Sequence, residues 1–260
     1  MRCNICETNT EVIFTKRILN KYDVKYYQCA NCRFIQTETP YWLDEAYGSA
    51  INFSDIGLLY RNKIFVENVT ALFGLSKFEK NKKYLDYGGG YGIFVRMMRD
   101  NGYNFYWDDE YCKNMYAELF LAKSLPEKEQ QYEVVTAFEV FEHLVNPMEE
   151  IQKMLKLTDS ILFSTELTTL PINELQNWWY IGENHGQHVS LYNRKTLEYI
   201  CNKFGLNLYS RKNLHFITKK KMNGFLFNVA FTYKLARLYN TFASPKTLLE
   251  SDFKLYMQQK

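Results

Sequence analysis

No apolar run in this sequence approaches the ~20 residues of a membrane-spanning helix; the longest lies between Lys221 and Lys234. The opening Met1-Arg2-Cys3-Asn4 lacks the apolar core of a secretory signal, which predicts a soluble, cytoplasmic protein. Charge of one sign is also scarce. The 260 residues carry 32 basic and 29 acidic side chains, a net charge of +3, so there is no footprint of the kind that DNA or RNA demands. The one dense basic run, Lys219-Lys220-Lys221, fits a solvated face or a strand end. Internal repeats and low-complexity segments are absent, and hydrophobic and charged fractions of 47% and 23% exclude disorder over most of the length. Histidine is rare: His143, His185, His188 and His215 are the whole supply of side chains that titrate near neutral pH unperturbed.

What is present falls into segments. Cys3-x-x-Cys6 and Cys29-x-x-Cys32 form the two-knuckle pattern that holds a tetrahedral zinc ion, and a metal would supply the folding energy that a module over residues 1–40 cannot draw from its own core. Two disulfides are the competing reading, but they need an oxidising compartment that nothing here indicates. Four protein ligands leave no open position, so such a zinc is structural. Cys112 and Cys201 have no partner pattern and read as small core residues. Between the knuckles, Glu11–Leu19 and Lys21–Gln28 read as short strands. Residues 41–80 place Tyr41, Trp42, Tyr47, Phe53, Tyr60, Phe65 and several aliphatics at helical spacing, a helical connector covering one side of the main domain.

The main domain, residues 81–218, is organised around Tyr84-Leu85-Asp86-Tyr87-Gly88-Gly89-Gly90-Tyr91-Gly92. A strand from Lys82 to Tyr87 ends at this turn and a helix from Ile93 to Arg99 leaves it. Glycines at 88, 90 and 92 allow positive φ and close approach of a ligand. A dinucleotide fingerprint would need a glycine at position 93, which is Ile, and Asp86 would repel a pyrophosphate but suit a cationic ligand. Tyr103–Trp107 reads as a second strand running into Asp108, Asp109 and Glu110, an acid about 20 residues past the first glycine, where ribose hydroxyls are held. Further strands are expected at Glu118–Ala122 (short and weak), Gln131–Val140, Ser160–Leu167, Leu206–Ser210 and Leu214–Thr218, the last two an antiparallel pair. Helices are expected from Met148 to Leu157 behind Pro147 and from Arg194 to Phe204 before Gly205. Residues 219–260 read as a C-terminal extension of two amphipathic helices, which could dock on the sheet or on another subunit, so a homo-oligomer stays open.

The Asp86-x-Gly88-x-Gly90-x-Gly92 pattern resembles motif I of the class I S-adenosylmethionine (SAM) methyltransferases. The segment from Val134 to Leu144 resembles the strand-four motif of one branch of that family, and Gly186-Gln187-His188-Val189-Ser190 its Gly-Gln-His-hydrophobic-Ser turn. Together with the zinc module, the resemblance covers most of residues 1–218 and is to members acting on nucleotide-activated sugars and other surface-glycan precursors. It implies an α/β fold: a Rossmann-like class I methyltransferase sheet with a small N-terminal zinc-ribbon module and a C-terminal helical extension. It also implies SAM as methyl donor, near Asp86, Gly88, Gly90, Gly92, Phe138 and Glu139. Asp109 is its first choice for the ribose and Asp108 its second.

An acceptor hydroxyl is a poor nucleophile, so a general base helps. His143 and His188 are the candidates, with Glu142 orienting the base or binding the acceptor. Each histidine could equally be structural, His143 bonding a helix start and His188 tying down a loop. The expected acceptor is a small polar molecule, a nucleotide sugar or a phosphate-type precursor of capsule or surface polysaccharide. A second class of reading is a catalytically inactive zinc-ribbon and Rossmann protein acting in binding or assembly; the intact Asp86, Gly88, Gly90 and Asp109 set argues against it.

Overall fold

The computed structural model describes residues 1–48, 55–243 and 246–258; Phe53, counted above among the helix-spaced aromatics, lies outside the described residues. In chain order the strands are β1 (Thr10–Ile18), β2 (Tyr22–Cys29), β3 (Ile35–Thr37), β4 (Lys83–Tyr87), β5 (Asn104–Asp108), β6 (Val134–Ala137), β7 (Ser160–Ser164), β8 (Ser190–Leu191), β9 (Asn207–Arg211) and β10 (Leu214–Thr218). The helices are α1 (Leu43–Ala46), α2 (Leu58–Leu75), α3 (Ile93–Asp100), α4 (Pro147–Leu157), α5 (Ile172–Leu175), α6 (Arg194–Phe204), α7 (Gly224–Ala230), α8 (Tyr233–Ala243) and α9 (Leu249–Gln258). The fold is α/β and Rossmann-like with a mixed sheet. Among the described residues, no helix is long and apolar enough to cross a membrane.

The chain divides into two compact units, and β7 straddles the division. The first comprises Met1–Asn52, Phe138–Lys156 and Phe163–Lys219; the second comprises Phe53–Ala137, Leu157–Leu162 and Lys220–Lys260.

In the first unit, β1 and β2 pair antiparallel, β3 adds to β2, and β8 closes the order β1-β2-β3-β8. Alternation in β2 puts Val24 and Tyr26 inward, onto a core with Ile18, Ile35, Trp42 and Val189. Trp42 is buried, and its indole N–H donates to the Gly186 carbonyl (2.8 Å), so its large apolar surface is removed from water without stranding the donor. Helix α6 starts at a capping box: Asn193 accepts from the Thr196 amide (3.0 Å), and Thr196 Oγ1 accepts from the Asn193 amide. The same two side chains donate to the carbonyls of Arg33 (2.7 Å) and Cys32 (2.9 Å), tying the helix start to the second cysteine knuckle. Strands β9 and β10 form the expected antiparallel pair.

In the second unit β4 is flanked by β5 and β6, both parallel to it, in the order β5-β4-β6-β7. Such strands are covered on both faces and lose polar alternation: all four residues of β6 are buried, as are Tyr84, Leu85 and Asp86 in β4. Phe73 of α2 stacks on Tyr84 (centroids 4.8 Å apart) and meets Tyr103 edge-on (5.3 Å). The C-terminal helices belong here. Asp252 of α9 is buried and takes both a 2.9 Å and a 2.7 Å bond from the Arg99 guanidinium, a fork whose other face stacks on Phe120.

Several expected elements differ. The C-terminal extension forms α7, α8 and α9 rather than two helices, and the strand expected over Ser160–Leu167 ends at Ser164. Residues 118–122 form no strand; they lie in short 3-10 turns at Glu118–Phe120 and Ala122–Ser124, with Leu121 contributing one isolated bridge to Trp107. The Asn114 side chain accepts from the Ala117 amide (2.8 Å) and turns the chain before a strand can extend. The strand expected over Gln131–Val140 stops at Ala137, because Glu139 takes a positive φ of 54°.

Candidate active site

The second unit carries the glycine turn. Gly88, Gly90 and Gly92 have φ of 68°, 52° and 81°, and Gly92 in this left-handed conformation starts α3. A Cβ at Gly92 would lie 2.6 Å from Asn114 Oδ1. The turn is strapped to the end of β5: Gly88 and Gly89 amides donate to the Asp108 carbonyl (2.8 and 3.1 Å), and the Trp107 indole donates to the Gly90 carbonyl (2.9 Å).

Asp86 sits beneath the turn at 3% exposure. Burial pushes its carboxyl up to about 7; a 2.6 Å bond from the Thr136 hydroxyl opposes the shift and the charge on Asp109 adds to it. The two acids after β5 divide their tasks. Asp109 accepts from three amides, Gly90 at Oδ2 (2.9 Å) and Tyr111 and Cys112 at Oδ1 (2.8 Å each), so its carboxylate is used inside the protein. Among the described residues no hydrogen bond engages the Asp108 carboxylate, which burial and the neighbouring Asp109 and Glu110 charges raise above the ordinary range.

Phe138 and Glu139, the residues that follow β6 along the chain, open the second stretch of the first unit. Both are partly buried. A single hydroxyl holds Glu139 in its strained conformation: the Glu139 amide donates to Ser164 Oγ (2.7 Å), which donates to Glu139 Oε1 (2.6 Å).

Three residues further on lies a cluster of an acid and two histidines. Glu142, His143 and His188 offer ligand atoms all within 4.8 Å of one another. The two imidazoles cross edge-on with centroids 5.0 Å apart. Glu142 is 1% exposed, and neither carboxylate oxygen has a hydrogen-bond partner; the hydroxyls of Tyr180 and Thr165 come near enough to favour its charge without reaching bonding geometry. Burial, with the Glu139 charge, pushes the Glu142 carboxyl up to about 8. Burial pulls His143 down to about 4 and His188 well below its ordinary value, and the histidines depress one another. His188 Nδ1 donates to the Tyr180 carbonyl (2.6 Å), and the Tyr47 hydroxyl lies 3.1 Å from His143 Nδ1. Of the other histidines, His185 accepts the Gln187 amide at Nδ1 (3.1 Å), and His215 is a buried strand residue between Ser210 and the Thr165 carbonyl.

The four N-terminal thiols converge in the first unit. Sγ–Sγ separations are 3.5 Å for Cys3–Cys32, 3.4 Å for Cys6–Cys29 and 3.5 Å for Cys6–Cys32. A disulfide needs about 2.05 Å, whereas a tetrahedral ion with Zn–S bonds of about 2.3 Å spaces its sulfurs by about 3.8 Å. The spacing fits an ion. The hydrogen bond between Cys32 and Cys3 favours the Cys3 thiolate and disfavours that of Cys32.

Sequence reasoning placed Tyr47 only among helix-spaced aromatics and gave no role to Thr136, Ser164, Thr165 or Tyr180. Their common signal is only polarity within otherwise apolar surroundings, visible at Thr136 in Val134-Val135-Thr136-Ala137 and at Ser164 after Ile161-Leu162-Phe163.

Solved structures of two methyltransferases are among those similar to this chain. Magnesium protoporphyrin IX methyltransferase from Synechocystis, with bound S-adenosylhomocysteine, matches at 15% identity over 68% of this chain and 93% of its own, with a TM-score of 0.46. The plantazolicin methyltransferase BpumL in complex with S-adenosylhomocysteine matches at 11% identity over 62% and 85%, with a TM-score of 0.43. No curated protein matches the sequence. Residues 59–211, more than half of the chain, match the family described as "Methyltransferase domain", and the chain belongs to that family of SAM-dependent methyltransferases.

Proposed function

We propose that the protein transfers a methyl group from SAM to a small polar acceptor, a nucleotide-linked sugar or a related phosphate compound of surface-glycan synthesis. The observation that carries the donor assignment is the Asp86 turn, where a buried carboxyl lies under three positive-φ glycines. That environment disfavours a lone negative charge and is relieved by a cation. SAM, when bound, supplies a methyl carbon already made electrophilic by the sulfonium. Asp86 supplies the counter-charge, and Gly88, Gly90 and Gly92 let the backbone come close. Asp108, whose carboxylate is free of protein bonds, takes the ribose hydroxyls in preference to Asp109, which fixes the turn. Cys3, Cys6, Cys29 and Cys32 hold a structural zinc ion.

Glu142, His143 and His188, which bring one acid and two histidines together, form the acceptor half. The acceptor class rests on the resemblance of Gly186–Ser190 and the cysteine module to the nucleotide-sugar branch. The test is a mass-spectrometric screen of nucleotide sugars and related phosphates for gain of one methyl group. His143→Ala and His188→Ala should each reduce turnover by about 100-fold or more while leaving SAM affinity within about twofold; full activity in both variants would remove the acceptor half from the account.

A further inference from the structure

We propose that Glu142, His143 and His188 form a second metal site, for a first-row divalent cation and separate from the four cysteines. The inference rests on the reading of this cluster as the acceptor half. In a tetrahedral set, ligand bonds of about 2.1 Å space two ligands by about 3.4 Å. The three atoms lie within 4.8 Å of one another, so side-chain shifts of under about 1 Å each close the site.

Glu142 carries the argument. Its carboxylate is buried, and both oxygens lack a hydrogen-bond partner, which is costly for a polar group unless something else meets it. In a base with an orienting acid, the carboxylate would accept a histidine N–H. Glu142 accepts none, and a cation would satisfy both oxygens and use both imidazoles.

The histidines already have the outer partners that metal-bound imidazoles take. The His188 Nδ1–H is committed to the Tyr180 carbonyl at 2.6 Å, leaving the Nε2 lone pair free, and Tyr47 stands at 3.1 Å from His143 Nδ1. Two imidazoles with one carboxylate suit zinc, iron or manganese. Three protein ligands leave a position open for an acceptor oxygen, a hydroxyl or phosphate, unlike four thiolates, which close the shell.

Full-length protein loaded with excess Zn2+ and freed of loose metal should carry about two zinc ions per chain, against about one in Glu142→Ala and in His143→Ala/His188→Ala, with circular dichroism confirming that the variants fold. One zinc per wild-type chain, or two retained in both folded variants, would overturn the site. Cobalt loading of the unaltered protein probes the same site without variants. The first equivalent should bring intense thiolate charge-transfer bands and a second only weak visible bands; saturation after the first excludes the site. Calorimetric SAM titration of the same samples separates the two readings. SAM binding with a single metal per chain overturns only the second site, whereas no SAM binding removes the methyltransferase reading on which it rests.

Discussion

Asp86 couples burial to charge more directly than any other residue of the donor half. Its carboxyl is raised to about 7 in the folded chain, so the folded state binds this proton more tightly than the unfolded state. Stability from this group is therefore present at low pH and lost as pH rises from the ordinary carboxylate range near 4 through about 7. A bound cation gains what the fold loses, so SAM affinity should rise with pH across the same window. Calorimetric titration at pH 5.5 and 8.5 should show an increase of about tenfold or more; affinity flat across that range would detach Asp86 from the donor. Gly92→Ala combines the cost of the left-handed backbone, about 1–2 kcal/mol, with a Cβ 2.6 Å from Asn114 Oδ1, and should lower the urea midpoint. The three positive-φ glycines were legible, because their spacing after a strand leaves few other conformations. The hydrogen bonding of Asp109 was not: Asp108 and Asp109 are both acids at a strand end, and only the path of the Gly90, Tyr111 and Cys112 amides decides which carboxylate is consumed.

At the scale of elements, periodicity and caps placed most strands and helices within a residue or two. Helix α6 was readable at its C-terminal end from Gly205, at φ 65°, whereas its Asn193 capping box emerges only in the structure. Strand β8 was not readable, because two residues, Ser190 and Leu191, contain no alternation; their pairing with Gln36 and Ile35 is a long-range choice. The break at Glu139 escaped for a related reason, since the chain continues as apolar and β-prone while the Ser164 hydroxyl holds it in a strained turn. The docking of α9 uses Asp252, which pairs with both Arg99 (2.7 Å) and Arg96 (2.8 Å). Asp252→Ala leaves the Arg99 guanidinium buried and unpaired on that side, which should cost about 3–5 kcal/mol and appear as a lower denaturant midpoint. A change within about 0.5 kcal/mol would show that the helix is held by its apolar contacts instead.

At the scale of the whole molecule, the α/β class followed from alternating strand and helix patterns, and the cysteine cluster from two Cys-x-x-Cys pairs. The interleaving of the two compact units was not legible, because each is assembled from three separated stretches of chain and no local pattern records which distant stretches meet. Treating the full chain with a strong chelator should lower the melting temperature by more than about 5 °C, since the zinc proposed for the four thiolates would contribute folding energy directly. An unchanged melting temperature would mean that the thiols hold the knuckles together unaided.

The central claim, that the glycine turn over Asp86 binds the methyl donor, is tested most directly by calorimetric titration of SAM into the wild-type protein and Asp86→Asn at pH 8. The substitution keeps the size of the side chain and removes its charge. The account predicts binding of about one SAM per wild-type chain, weakened by about tenfold or more in the variant. Equal affinity in the two proteins, or no heat of binding in the wild type, would contradict it.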